Sequence, residues 1–185
     1  MPFRQLPLGL NYAPLLKNLC PNLSVLTGMS GKSVYFEERF RVGWSDLDAN
    51  VHMANSSYLD HASNTRMLFF NKHGFTMSRF ALEKFGPVVV RDEIVYRKEL
   101  RLMDEFRVDL ESVGLSSDAV RFRVRNTFRN TADDVSAVVT SDGLWFDLER
   151  RRPRSPPDDL DYLMRSLQRT SDFAEIPSRP AEKSL

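Results

Sequence analysis

Between Trp44 and Tyr58 the chain reads WSDLDANVHMANSSY, which gathers two carboxylates (Asp46 and Asp48), an imidazole (His52), an amide (Asn55) and a phenol (Tyr58). An ionised carboxylate can take a proton from an attacking water or attack a carbonyl itself, and the other three can orient the reacting groups. A helical period begins at the end of this segment. A helix N-terminus offers unpaired backbone N–H groups and the positive end of a dipole, both suited to an oxyanion developing on a carbonyl. Taken singly, Asp46, Asp48 and Asn55 are ordinary turn and cap residues, His52 an ordinary loop residue and Tyr58 an ordinary core residue. Their concentration at one junction makes the segment a candidate site.

The flanking elements must position these groups. Val34, Phe36, Phe40, Val42 and Trp44 alternate with Tyr35, Glu37, Arg39 and Arg41, which predicts a strand with one buried face. From Asn55 to about Lys72 the period becomes helical: Tyr58, Leu59, Ala62, Arg66, Phe69 and Phe70 recur three or four apart, with Asn55 placed to cap the first turn. His73-Gly74 ends that helix, and Met77 to Phe85 predicts a short second one. Four strands follow, over Val88–Leu100, about Phe106–Leu110, Val120–Phe128 and Val135–Leu148, with polar turns between them.

Outside this block, Leu10 to Cys20 predicts a short helix stopped by Pro21, and Thr27 to Lys32 a loop. Arg150 to Pro157 (RRRPRSPP) opposes regular structure, and Asp158 to Arg169 predicts an amphipathic helix with Leu160, Leu163, Met164 and Leu167 on one side. A loosely held tail is expected beyond Thr170. Three regions result: a helical extension and loop at 1–32, an α+β domain at 33–149, and a basic Pro-rich linker, short helix and flexible tail at 150–185.

Composition narrows the function classes. The 185 residues suit one domain, and 26 Lys+Arg against 25 Asp+Glu give a net charge of +1, so no field favours nucleic acid. No apolar run approaches the roughly 18 residues of a membrane span. One cysteine, Cys20, allows neither an internal disulfide nor a paired-cysteine metal site, and a reducing, cytoplasmic setting fits best.

The pattern D-x-D-x-x-x-H-x-x-N-x-x-Y entering a long helix, followed by a four-stranded meander, resembles the hot-dog-fold acyl-CoA thioesterases of the 4-hydroxybenzoyl-CoA thioesterase type over residues 33 to 149. The resemblance implies a curved antiparallel sheet of about five strands wrapped around one central helix. It also implies a homodimer or dimer of dimers with sites at the subunit interface, an acyl-CoA substrate, and no metal or redox cofactor. It maps general base or nucleophile onto Asp48, with Asp46 supporting the loop, His52 and Asn55 orienting the carbonyl or water, and Tyr58 lining the pocket. Many relatives read G-H-V-N-N where this chain has Val51-His52-Met53-Ala54-Asn55. Valine disfavours the positive φ that glycine permits. A non-catalytic acyl-binding or interaction protein and, third, an enoyl-thioester hydratase or dehydratase using His52 with Asp48 are the alternatives.

Two further features bear on such a substrate. Met67 to Phe85 is dense in aromatics that could line an acyl tunnel, although helical spacing favours core. Arg121, Arg123, Arg125 and Arg129, or Arg150, Arg151, Arg152 and Arg154, could hold CoA phosphates; a solvated face paired with acids such as Asp109 and Glu111 is the favoured reading.

Overall fold

The computed structural model describes residues 33–178. The helix expected at Leu10–Cys20 and the end of the C-terminal tail lie outside the described residues.

Strand β1 (Phe36–Arg41) leads through a short 3-10 turn at Trp44–Asp46 to the long helix α1 (Asn55–Lys72) and the short helix α2 (Met77–Glu83). The meander follows as β2 (Phe85–Tyr96), β3 (Glu105–Ser116), β4 (Arg121–Asn130) and β5 (Val135–Asp147). The chain then forms a two-residue strand β6 (Arg152–Pro153), helix α3 (Asp158–Ser166) and strand β7 (Arg169–Ile176). β1 is shorter than its alternation predicts, because past the Arg41–Glu105 pair the Asp104 N–H turns to the Arg101 carbonyl at 3.0 Å, the Val42 carbonyl accepts from Met103 instead at 2.9 Å, and Trp44 enters the turn.

The strand order β1-β3-β4-β5-β2 is antiparallel throughout, and α1 packs against β1, β3 and β5, which makes this the expected hot-dog arrangement. Its core has two apolar clusters. One gathers Phe69, Phe70, Phe75, Phe80, Phe85 and Trp145 around the end of α1; the other gathers Val42, Tyr58, Ala62, Phe106 and Phe128 around its start. At mid-helix lies a buried cation. Arg66 Nη1 donates to Asn126 Oδ1 on β4 at 3.1 Å and to Ser141 Oγ on β5 at 2.9 Å, and Nη2 to Ser63 Oγ at 2.8 Å. Ser141 in turn donates to Asp92 on β2. Sequence periodicity placed Arg66 on an apolar face; what it meets there is polar.

The sheet has seven strands rather than about five, because β6 forms inside the Arg150–Pro157 segment expected to lack regular structure, pairing with β5, and because the C-terminal region is not a loose tail from residue 170. Leu160, Leu163, Met164 and Leu167 are buried in the cluster at the far end of α1, at roughly 1.5–3 kcal/mol apiece. That anchors α3, and Arg79 ties it to α2 by reaching both Glu83 (2.6 Å) and Asp159 (2.8 Å). Gln168 then bridges Val34 and Ser112 through its backbone, and β7 adds to β3 in parallel. RTSDFAEI has no apolar alternation, so its strand character comes from the edge that α3 delivers it to.

Two predictions follow from this packing. A Cβ on Gly114 would lie 2.7 Å from the Ala174 carbonyl and 2.8 Å from Ile176 Cγ1, so Gly114→Ala should force β7 off β3. A loss of about 1–3 kcal/mol in thermal or denaturant unfolding is expected, with earlier proteolytic cleavage in 169–178. Asp109 on β3 is buried, its Oδ1 accepting the Thr127 N–H at 2.8 Å, and desolvation raises its carboxyl from 3.8 to about 6. Because the folded pKa is the higher, the stability this proton contributes is complete below about pH 4 and is lost as pH rises through 6. Asp109→Asn keeps the acceptor without the charge, so its melting temperature should match the parent near pH 4 and exceed it at pH 7.5, by up to about 3 kcal/mol in stability.

Candidate functional site

The segment after β1 closes on itself. Asp48 N–H donates to the His52 carbonyl at 2.9 Å, Val51 N–H to the Asp48 carbonyl at 3.1 Å, and Ala54 N–H to the Asp46 carbonyl at 2.8 Å. Asp48 is exposed, and its Oδ1 accepts the backbone N–H groups of Asn50 (2.8 Å) and His52 (3.3 Å). These bonds, that from Asn50 foremost, hold the carboxyl below its ordinary range. Oδ2 has only the Asn50 side-chain amide, at 3.5 Å. One oxygen therefore shapes the loop while the other is open to solvent.

The remaining residues of the motif are arranged differently from the expectation. Ala54, not Asn55, is the N-cap of α1, and no side chain caps it; Asn55 is the first helical residue. Ala54 takes the cap position because its own N–H is already engaged by Asp46, which leaves its carbonyl to accept from Ser57 (3.0 Å) and Tyr58 (3.3 Å). The N–H groups of Asn55 and Ser56 meet no acceptor among the described residues. The His52 ring faces Glu99, with Nε2 3.1 Å from Oε2, and its hydrogen bonds with Asp48 run through its backbone N–H and carbonyl rather than its ring. Tyr58 is 3% exposed, edge-on to Tyr96 and Phe128, and burial pushes its hydroxyl to about 12, so it forms the floor beneath the junction rather than a wall open to solvent.

A pair absent from the sequence reading lies beside them. His61, on the same face of α1 as Tyr58, has Nε2 3.4 Å from Asp46 Oδ1, and its ring stands edge-on to Phe40 and Phe106 at 4.8 and 5.1 Å. Asp46 Oδ2 accepts the Gly43 N–H at 2.7 Å, and its carbonyl also accepts the Ser57 hydroxyl at 3.0 Å. Asp46 thus ties the end of β1 to α1 through backbone and side chain together. The available signal was the three-residue step from Tyr58 to His61.

The other candidates resolve through packing. Phe69, Phe70, Phe75, Phe80 and Phe85 are all buried against one another or Trp145, so in this chain they fill the core. Three of the β4 arginines are paired, but not with Asp109 or Glu111: Arg123 holds Asp142 at 2.6 Å, Arg125 holds Asp172 at 2.8 Å on the unforeseen β7, and Arg129 lies 3.8 Å from Asp133, while Arg121 makes no ion pair among the described residues. Among the described residues no group of three or more His, Cys, Asp or Glu could hold a metal ion, and no helix is long and apolar enough to cross a membrane.

Val51 adopts the left-handed conformation, φ 64°, at the position where the resembled pattern has glycine. The loop keeps that geometry because both Val51 neighbours are pinned to Asp48, and it carries the cost of a β-branched residue there, about 1–2 kcal/mol. Val51 is exposed, so removing its side chain forfeits little packing. Val51→Gly should therefore stabilise the fold by about 1 kcal/mol net of the added unfolded-state entropy, read as a rise in melting temperature; a fall would mean the strain is absent.

Comparison with known proteins follows from this geometry. The family model described as the thioesterase-like superfamily matches residues 42–164, more than half of the chain. None of the curated proteins matches. A Staphylococcus aureus protein solved in complex with CoA superposes with a TM-score of 0.67 at 17% identity, over 78% of this chain and 92% of that one. A 1,4-dihydroxy-2-naphthoyl-CoA thioesterase from Synechocystis gives 0.65 at 14% identity, over 72% and 98%. A DHNA-CoA thioesterase from Staphylococcus aureus gives 0.60 at 12% identity, over 65% and 80%. At these identities the superpositions establish the fold, and with the family match they lead to one conclusion: the chain belongs to the thioesterase-like superfamily of hot-dog proteins.

Proposed function

We propose that this protein is an acyl-CoA thioesterase, cleaving a CoA thioester to a free acid and CoA with Asp48 as the reacting carboxylate. The observation that carries the reading is the placement of Asp48 Oδ2, open to solvent, in the loop that delivers the unpaired Asn55 and Ser56 N–H groups at the start of α1. The thioester oxygen accepts from those N–H groups, where the helix dipole favours developing negative charge. Asp48 then either takes the proton of an attacking water or attacks the carbonyl carbon itself. Its depressed pKa keeps it ionised but makes it a weaker base, which favours direct attack or a base sharpened by desolvation when substrate covers it. His52 and Asn55 orient the loop and the substrate, and Tyr58 supports them from below. Binding of CoA by the Staphylococcus aureus neighbour and CoA-thioester cleavage by the Synechocystis neighbour support the substrate class.

The functional unit in this reading is a homodimer or a dimer of dimers. β2 pairs only with β5 among the described residues, and its twelve-residue open edge exposes Val89, Val90, Val95 and Tyr96. An exposed apolar edge of that length requires a partner or a device that blocks pairing.

Acyl binding without turnover is favoured over this reading by one feature, the full exposure of Asp48 in the single chain. A hydratase is disfavoured, because the His52 ring pairs with Glu99 and not with Asp48. Thiol release from short, medium, long and aromatic acyl-CoA substrates separates these. In Asp48→Asn at matched oligomeric state, kcat/KM should fall at least about a hundredfold. The acid limb of the parent profile should lie below the ordinary carboxylate range. Turnover unchanged in the variant would overturn the role of Asp48, and stabilisation by acyl-CoA without turnover would establish the binding reading.

A further inference from the structure

Three arginines lie close together in the chain after β5. Arg150 in the turn before β6, Arg152 on β6 and Arg154 just after it line one open depression of about 510 Å3 together with Asp147 and Pro153. Where Arg123 and Arg125 are each neutralised by an aspartate, Arg150 and Arg152 make no ion pair or side-chain hydrogen bond among the described residues. Arg154 is held in place: its guanidinium lies 4.9 Å over the Phe85 ring and Nη1 donates to the Glu83 carbonyl at 3.2 Å.

The one acid lining the depression answers these charges only in part: the backbone N–H of Arg150 foremost, and then the nearby Arg150 and Arg154 guanidiniums, hold the Asp147 carboxyl below its ordinary range, with no ion pair to either side chain among the described residues. Asp147 Oδ1 is occupied by the N–H groups of Arg150 (2.7 Å) and Glu149 (3.0 Å), so it closes the turn that presents the arginines. Backbone geometry holds that turn: Arg151 sits at φ 55°, its guanidinium 5.3 Å over Phe146, and Pro153 pairs opposite Phe146. Guanidinium groups present forked donors that match phosphate oxygens, and prior fixing of one of them lowers the ordering cost of binding. The volume exceeds that of a single phosphate and falls within the range of ligand pockets, roughly 300–1,000 Å3.

We infer that Arg150, Arg152 and Arg154 form a binding site for a diphosphate or a phosphate ester, separate from the Asp48 junction. Arg154 supplies the fixed donor, and Arg150 and Arg152 supply the others. Asp48 and this depression belong to opposite ends of α1: the former sits at its N-terminal loop, the latter beside Phe85 and the aromatic cluster at its C-terminal end. Occupancy of the site therefore does not depend on thioester cleavage. The phosphate could be carried by a soluble molecule such as a nucleotide or by a lipid headgroup.

Isothermal titration of the full chain with inorganic pyrophosphate and with adenosine diphosphate, and sedimentation with phosphatidylcholine vesicles with and without a phosphoinositide, test the assignment. At least one phosphate probe should bind in a salt-dependent manner, at least about tenfold more weakly to Arg150→Ala/Arg152→Ala and unchanged to Arg123→Ala. Binding of the soluble probes alone identifies a soluble ligand; binding of the phosphoinositide vesicles alone identifies a headgroup. Equal binding by the double variant, once its melting curve matches the parent's, or no binding by any probe, overturns the proposal.

Discussion

Arg66 is where helix and sheet constrain each other. A desolvated guanidinium must keep its hydrogen bonds, and its burial opposes the charged form, as the lowered pKa of this group reflects. Its partners lie on two strands: Asn126 on β4 and Ser141 on β5 are brought together by a register that pairs Asn126 with Val139 and Val124 with Ser141. A slip of one residue in that register would turn one partner to the far face. A shift of one residue along α1, about 100° of rotation, would swing Arg66 away from both. Its burial therefore makes a single helix setting much more favourable than its neighbours.

That setting carries through to the junction. With Arg66 fixed, Ala62 and Tyr58 stack above it on the same face, and His61 faces the end of β1, where it meets Asp46. Asp46 then clamps Gly43, Ala54 and Ser57, so the loop holding Asp48 is suspended between a strand end and a helix start that packing has already placed. Local hydrogen bonds complete the geometry strongly enough to keep Val51 left-handed against its own steric preference. The two aspartates divide the work. Asp46, half-buried, joins elements, whereas Asp48, exposed, shapes one turn and keeps an oxygen free.

At the other end of α1 the C-terminal segment completes the core. α3 covers aromatic side chains that the five strands β1 to β5 would leave open, and β7 extends the edge of β3 beyond its pairing with β1. One charge on that added strand, Asp172, neutralises Arg125 on β4, and the bidentate contact holds its carboxyl near 2. The domain thus runs past the region that sequence periodicity marks out.

The order of strand, long helix and meander was legible in the sequence because apolar periods of two and of about 3.6 report which face of an element is buried, and that holds wherever burial is one-sided. The D-x-D…H…N…Y spacing marked the junction for a similar reason: its residues are close in the chain, so their proximity needs no tertiary information. Pairings over long separations were not legible. His61 with Asp46, Arg66 with Asn126 and Ser141, and His52 with Glu99 join elements whose relative rotation only packing determines. Asn55 looked like the helix cap because its residue type favours that position, yet the clamp from Asp46 shifted the boundary to Ala54. β7 was invisible for a related reason: RTSDFAEI has no strand pattern of its own, and it becomes a strand because α3, buried beneath the aromatic cluster, delivers it to an unpaired edge.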